Sequence, residues 1–321
     1  MLLSYAVYQL HDQYSLANTG TTEQANFSSS GERAKQVDGF YACLQHFGLS
    51  LLINKGRRIP MNRPVLFSFN LRLIIDRLTQ NIDHAAQNLL REVIERFQRL
   101  AGDAWPCWAI SNHDVERSAS RWGAGEDPVA YPAVMLAMLF SLRGSVCLYQ
   151  GEELGLPEAE VPFERIQDPY GKVLWPAFKG RDGCRTPMPW ENSANGGFTA
   201  PGVEPWLPVE ARHLPLSVAR QEDDSASVLN ATRRLLAFRA RHPALFDGEL
   251  RLVDVGDALL GFVRERAGER ILCLFNLTAE PRETRLPLAV DHALEGHGFT
   301  ASLDGDTLRL PAYQAAWFAV S

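Results

Sequence analysis

The stretch that most constrains this chain is a short apolar run that gives way at once to polar chemistry. Trp105-Pro106-Cys107-Trp108-Ala109-Ile110 is aromatic-rich, short and bounded by turn signals, which predicts a buried β-strand. Directly after it come Ser111-Asn112-His113-Asp114-Val115-Glu116-Arg117-Ser118-Ala119. An amide, an imidazole, a carboxylate and a guanidinium fall within six positions. Polar groups crowded at the C-terminal end of a core strand suit a site at the mouth of a barrel. The competing reading is a helix N-cap, with Asp114 capping whatever follows. Asn112-His113-Asp114 alone does not separate the two.

The neighbouring segments supply a context. Val65-Leu66-Phe67-Ser68-Phe69-Asn70 predicts an earlier buried strand. Ile82, Ala86, Leu89, Leu90, Val93, Phe97 and Leu100 then recur at helical spacing, with Arg91, Glu92, Glu95, Arg96 and Arg99 on the other face. Gly102 ends that helix. Pro128 and Pro132 open a helix through Leu142 that is apolar nearly all round and so predicts burial. A third strand, Ser145-Val146-Cys147-Leu148-Tyr149-Gln150, runs into Gly151-Glu152-Glu153-Leu154-Gly155. Strand alternating with helix predicts a parallel sheet or barrel.

From about Pro157 to Pro215 the chain is irregular, and a loop of that length in a compact domain is usually functional. It carries Arg181-Asp182-Gly183-Cys184-Arg185-Thr186-Pro187-Met188-Pro189-Trp190. Arg181, Asp182 and Arg185 read either as site residues or as an ion-pair network pinning the loop. Trp190 reads as core or as an aromatic wall. Ser225 predicts the cap of a helix with Val228, Leu229, Leu235, Leu236 and Phe238 toward the core, stopped by Pro243. The period then switches to two. Leu250–Val253, Leu259–Val263, Ile271–Asn276, Arg282–Leu286 and Ala315–Val320 predict short strands, with turns at Gly256-Asp257 and Asp304-Gly305. An antiparallel β-domain is therefore expected from about Phe246 onward.

Composition narrows the function classes. A formal net charge of −6 points away from nucleic acid or an anionic membrane as partner. The five cysteines are scattered without paired spacing, which predicts reduced thiols and a cytoplasmic setting. Nothing in their spacing, or in the histidines, predicts a metal site, and no secretory leader is recognisable. Tyr131–Leu142, the most apolar window, is too short to span a bilayer.

Ile110-Ser111-Asn112-His113-Asp114 with Arg117 resembles the strand-seven motif of the α-amylase superfamily of glycoside hydrolases. Tyr149-Gln150-Gly151-Glu152-Glu153-Leu154-Gly155 is similar to that family's strand-eight ending. Gly180-Arg181-Asp182 with Arg185-Thr186-Pro187-Met188-Pro189-Trp190 is similar to the long strand-eight loop of its α-glucosidase and oligo-1,6-glucosidase branch. The resemblance covers about Pro64 to Ser321. It implies α/β plus all-β architecture: the last three βα units of a (β/α)8 TIM barrel, then an antiparallel β-sandwich. The corresponding expectations are an unmatched segment over 1–62, barrel over 63–245 with the long strand-eight loop, and β-domain over 246–321.

The resemblance implies retaining hydrolysis of α-glucosidic bonds in malto- or isomalto-oligosaccharides. Asp114 would be the catalytic transition-state stabiliser, and Asn112, His113, Arg117 and Arg185 would bind the sugar. Glu152 and Glu153 would be mainly structural. No cofactor and no metal are implied, and the expected partner is an oligosaccharide.

One departure bears on activity. Retaining glycosidases need two carboxylates on opposite sides of the scissile bond, one as nucleophile and one as general acid, and the family places its nucleophile in Gly-x-Arg-x-Asp. No arginine in this sequence is followed two residues later by aspartate. Before Val65 the only Gly-Glu is Gly31-Glu32, behind Phe27-Ser28-Ser29-Ser30, which are poor strand formers. The expectation is a truncated family member without turnover as it stands, self-associating through exposed barrel edges. The alternative is a non-catalytic carbohydrate-binding or scaffolding remnant.

Overall fold

The computed structural model describes residues 90–96, 98–99, 105–123, 126–256 and 259–321. All lie in the second of two compact units, Asp83–Ser321. The strand expected at Val65–Asn70, the unmatched segment over 1–62 and Glu32 fall outside the described residues.

Residues 90–96 and 98–99 are helical, as their apolar spacing requires, with Val93 and Ile94 buried. The next two strands pair in parallel. β1 (Cys107–Trp108) sets Cys107 opposite Ser145 and Trp108 opposite Val146 of β2 (Ser145–Val146). Both are shorter than their apolar runs predict. Trp105 stays exposed with its indole N–H on the Ser145 hydroxyl, and the chain after Cys147 turns away to form the loop that carries Tyr149. Between the strands lies the helix Ala130–Ser141, buried at every position after Ala130, as a helix apolar on all faces must be.

The helix Val228–Arg241 corrects one expectation. Its N-cap is Ser227, whose hydroxyl accepts from the Asn230 N–H, and not Ser225. Ser227 stands directly before the first apolar residue of the helix and so reaches its free amides. Ser225 instead offers its carbonyl to Arg234. Pro243 does follow the helix end, and it opens a further short helix, Pro243–Asp247.

The C-terminal strands form two antiparallel sheets. One has the order β3-β4-β5-β10-β7, from Glu249–Leu252, Leu260–Arg266, Glu269–Phe275, Ala315–Ala319 and His292–Ala293. The other has the order β6-β9-β8, from Arg282–Arg285, Thr307–Leu310 and Ser302–Asp304. Inward residues of both sheets, among them Val263, Leu272, Leu274, Leu308, Leu310 and Phe318, make one apolar cluster. β7, β8 and β9 are not among the expected strands, and β7 and β8 are only two and three residues long. The Asp304-Gly305 turn is where expected, with Gly305 at φ 60° between paired Asp304 and Thr307.

One buried arginine joins this β-domain to the helices before it, and a second joins two of those helices to each other. Arg264 donates to the carbonyls of Ser141, Leu245 and Gly248, and Arg239 to those of Phe140, Leu142 and Gly144. They thereby satisfy carbonyls that the end of helix Ala130–Ser141 leaves free. Trp317 adds an indole N–H bond to the Ser141 hydroxyl.

Candidate active site

Three loops meet beyond the C-terminal ends of β1 and β2: residues 111–117, 149–158 and 166–185. In the first, the Asp114 N–H donates to Asn112 Oδ1 at 2.7 Å, a local turn that asparagine makes readily. The His113 ring is largely exposed, and its Nε2 lies 3.4 Å from Asp114 Oδ2. The Asp114 carboxylate is mostly buried, and two guanidiniums converge on one of its oxygens. Arg181 Nη1 reaches Asp114 Oδ1 at 3.0 Å and Arg185 Nη2 reaches the same atom at 2.7 Å. Arg185 Nε also donates to the His113 carbonyl at 2.7 Å. Arg181 and Arg185 stand at the two ends of one 3-10 turn.

The turn is itself anchored by two buried aspartates. Asp168 binds Arg181 in a fork, with Nε on Oδ2 at 2.9 Å and Nη2 on Oδ1 at 3.1 Å. It also accepts the backbone N–H of Arg181 and of Tyr170, capping the helix Pro169–Leu174. Burial pushes the Asp168 carboxyl up, but the bonds from Arg181 and these amides outweigh it and hold the group below the usual carboxylate range. Asp182 Oδ2 accepts the amides of Gln167 and Asp168 at 2.6 and 2.8 Å. The network reading of this loop is therefore met by Arg181 and Arg185, whereas Asp182 serves backbone amides.

Arg117 is placed behind the site. It is buried, stacks on Tyr149 and donates to the carbonyls of Gln150 and Cys184 at 2.9 and 3.0 Å. Its guanidinium thus ties the loops together and does not open toward a ligand. Gly151 shows why this packing needs glycine: it sits at φ 93°, and a Cβ there would meet the Arg117 guanidinium at 2.6 Å. Glu152 and Glu158 are enclosed in the same layer, and burial pushes each carboxyl up to about 7. At Gly183 a Cβ would come within 2.2 Å of Glu158 Oε1, so the second loop approaches only because that residue has no side chain.

Of the sequence candidates, Asn112, His113, Asp114 and Arg185 are brought to one place, and Arg117 is set beneath them. Two participants were missed. Asp168 carries a signal, since Asp168-Pro169 reads as a cap with proline at the first helical position. Glu158 carries none. Trp190 is half exposed. Among the described residues no group of three or more His, Cys, Asp or Glu is arranged to hold a metal, and no helix is long and apolar enough to cross a membrane.

A parallel strand pair with its helices and a charged site beyond the C-terminal ends of the strands has the arrangement of part of an α/β barrel wall, here followed by an antiparallel β-domain. The family model described as the alpha amylase catalytic domain matches residues 65–248, and the chain belongs to that family. A second model, the C-terminal immunoglobulin-like domain of D-apionate lactonase, matches 256–318, within the β-domain.

A probable alpha-glucosidase of Rhizobium meliloti is 48% identical over 238 residues, covering 74% of this chain and 43% of that protein. An oligo-1,6-glucosidase of Parageobacillus thermoglucosidasius is 28% identical, covering 64% of this chain and 39% of that protein. Among solved structures, the alpha-glucosyl transfer enzyme XgtA superposes with a TM-score of 0.70 at 46% identity, over 73% of this chain and 44% of that one. The chain therefore spans less than half the length of these relatives.

Proposed function

We propose that the site serves retaining cleavage of α-glucosidic bonds in malto- or isomalto-oligosaccharides, with these loops forming one wall of the glucosyl subsite. The observation that carries this reading is the convergence of Arg181 and Arg185 on Asp114 Oδ1, which fixes that carboxylate at the mouth of the strands. A fixed carboxylate opposes the positive charge that develops on an oxocarbenium-like sugar. Asp114 takes that role without bonding to the sugar carbon. His113, exposed beside it, and Asn112 hydrogen-bond sugar hydroxyls. Arg185 orients His113 through its carbonyl while holding Asp114. The relatives named alpha-glucosidase and oligo-1,6-glucosidase support the substrate class.

A second reading, binding without turnover, is favoured by one observation: the sequence holds no Gly-x-Arg-x-Asp. Asp114 provides neither a covalent route nor a proton donor. The expected result for the purified chain is thus no release of p-nitrophenol from p-nitrophenyl α-glucoside above background. Calorimetry with maltose and isomaltose decides the rest. Saturable binding, lost in Asp114→Asn, supports the sugar site; absence of binding to either sugar refutes it. Turnover that disappears in Glu32→Gln would establish catalysis by this chain. Product analysis would then separate glucose release from transfer, since one structural relative is an alpha-glucosyl transfer enzyme.

A further inference from the structure

The loop that carries Asn112, His113 and Asp114 is held from behind at both ends. At its start the Ser111 hydroxyl donates to Glu152 Oε1 at 2.5 Å. At its end the Arg117 backbone N–H donates to Glu158 Oε2 at 2.9 Å. Both acceptors stand on the single segment that follows β2, and each lies 41 residues from its donor, so the two segments are laced in register. Each acceptor residue makes one further bond, Glu152 through its second carboxylate oxygen and Glu158 through its backbone. Glu152 Oε2 takes the Tyr149 amide at 2.9 Å, and the Glu158 amide donates to Ser120 Oγ at 2.7 Å. Arg117, the nearest cation, spends both terminal nitrogens on the carbonyls of Gln150 and Cys184.

We infer that Glu152 and Glu158 are a pair of positioning residues that clamp the loop from Ser111 to Arg117 and so set where Asn112, His113 and Asp114 stand. That the loop faces a sugar rests on the reading above; that the two acids hold it does not.

The clamp responds to protons. Around Glu152 stand Ser111, the Tyr149 amide, Arg117 and Glu153, and around Glu158 stand Arg117, Glu116, Glu160, the Tyr149 phenol and the Cys184 thiol. Burial dominates at both acids and carries each to about 7, with the neighbouring bonds and Arg117 opposing it. An ionised carboxylate accepts a stronger hydrogen bond than a neutral one, so the clamp tightens as pH rises through about 7. Global stability moves the other way. An acid whose folded pKa is raised contributes stability that is fully present below its unfolded value of 4.5 and is lost as pH rises through about 7. Loop order and overall stability therefore diverge with pH, which a purely structural acid would not produce.

Hydrogen exchange of the full chain, read on peptides covering 111–117 and corrected for intrinsic rates, tests this beside denaturation midpoints from pH 5 to 8.5. The wild type is expected to gain protection in the loop while its midpoint falls. Glu152→Gln and Glu158→Gln keep the shape and remove the charge. At pH 8 each is expected to exchange about tenfold faster in the loop. The pH step in protection shrinks in each single variant, where the other acid still titrates, and is lost when both are changed, while the midpoint at pH 8 stays equal to or above that of the wild type. Unchanged loop exchange in both variants overturns the inference. So does faster exchange that simply tracks a lowered midpoint. Ser111→Ala, a small change that removes one donor, gives the same decision should the Gln variants not fold: faster exchange in the loop supports the clamp, unchanged exchange refutes it. Calorimetry with isomaltose on the same proteins keeps the readings apart. Loss of sugar binding in the wild type refutes the sugar site and leaves the clamp to be decided by exchange alone.

Discussion

Inside the β-domain, the buried positions belong to Leu272, Leu274, Leu308, Leu310 and Phe318, which meet across two sheets. Around Asp114, buried positions belong to Arg117, Glu152, Asp168 and Asp182. The first region is held by apolar area, which is non-directional and tolerates small shifts. The second is held by hydrogen bonds to charge, which fix direction and fail sharply when one partner goes. A carboxylate held in one direction requires the second kind of support. The seam between the regions mixes both: Arg264 is a fully buried cation in an apolar domain, bonded only to carbonyls among the described residues.

That seam is where the largest effect is expected. Arg264→Met keeps length and apolar stem but strips the carbonyls of Ser141, Leu245 and Gly248 of their donor. A loss of about 4 kcal/mol follows. It is read from the denaturation midpoint of the full chain, together with loss of the Trp317 fluorescence environment. A loss no greater than about 1 kcal/mol would show that the β-domain docks by apolar contact alone. Next comes Leu308→Ala, which opens a cavity between the sheets where Leu308 is fully buried, at about 3 kcal/mol. It should leave exchange of the loop over 111–117 unchanged. Coupling between the two would mean that the regions are less independent than their chemistry implies.

Legibility in the sequence followed the same division. The β-domain's long strands and the buried helix Ala130–Ser141 were readable because apolar period is a property of neighbouring residues. Asn112, His113 and Asp114 were readable because they stand together at the end of one strand. Asp168 and Arg181 meet from opposite sides of a loop without a hydrophobic period, and their fork is a tertiary fact. Arg117 was placed within the right motif, yet its burial depends on Tyr149, Gln150 and Cys184 from two other segments. The clamp by Glu158 is further from reach, since only Gly183, distant in sequence, lets that carboxylate come so close. The Ser227 cap shows the limit at short range. Two serines stood two residues apart, and the apolar start of the helix chose between them.

The smallest effects sharpen the contrast by comparing like with like, one ion pair from each region. Arg181–Asp168 supports the site, with the aspartate side chain fully shielded. Arg285–Asp306 spans β6 and the start of β9, with both side chains exposed. Asp168→Asn removes the charge from a fork that also accepts two backbone amides, and a loss of about 2 kcal/mol at neutral pH is expected. Because the folded Asp168 pKa is depressed, its contribution is present above the unfolded carboxylate value and is lost as pH falls through the folded one. The gap between wild type and Asp168→Asn should therefore close in acid, and it should persist in high salt because the aspartate side chain is fully shielded. Asp306→Asn should leave the midpoint within error at every pH, since a solvated pair gains little over hydration and is screened. Equal losses for the two variants would show that burial of charge is not what distinguishes the site from the β-domain. A loss for Asp168→Asn that vanishes with added salt would place its support at the surface.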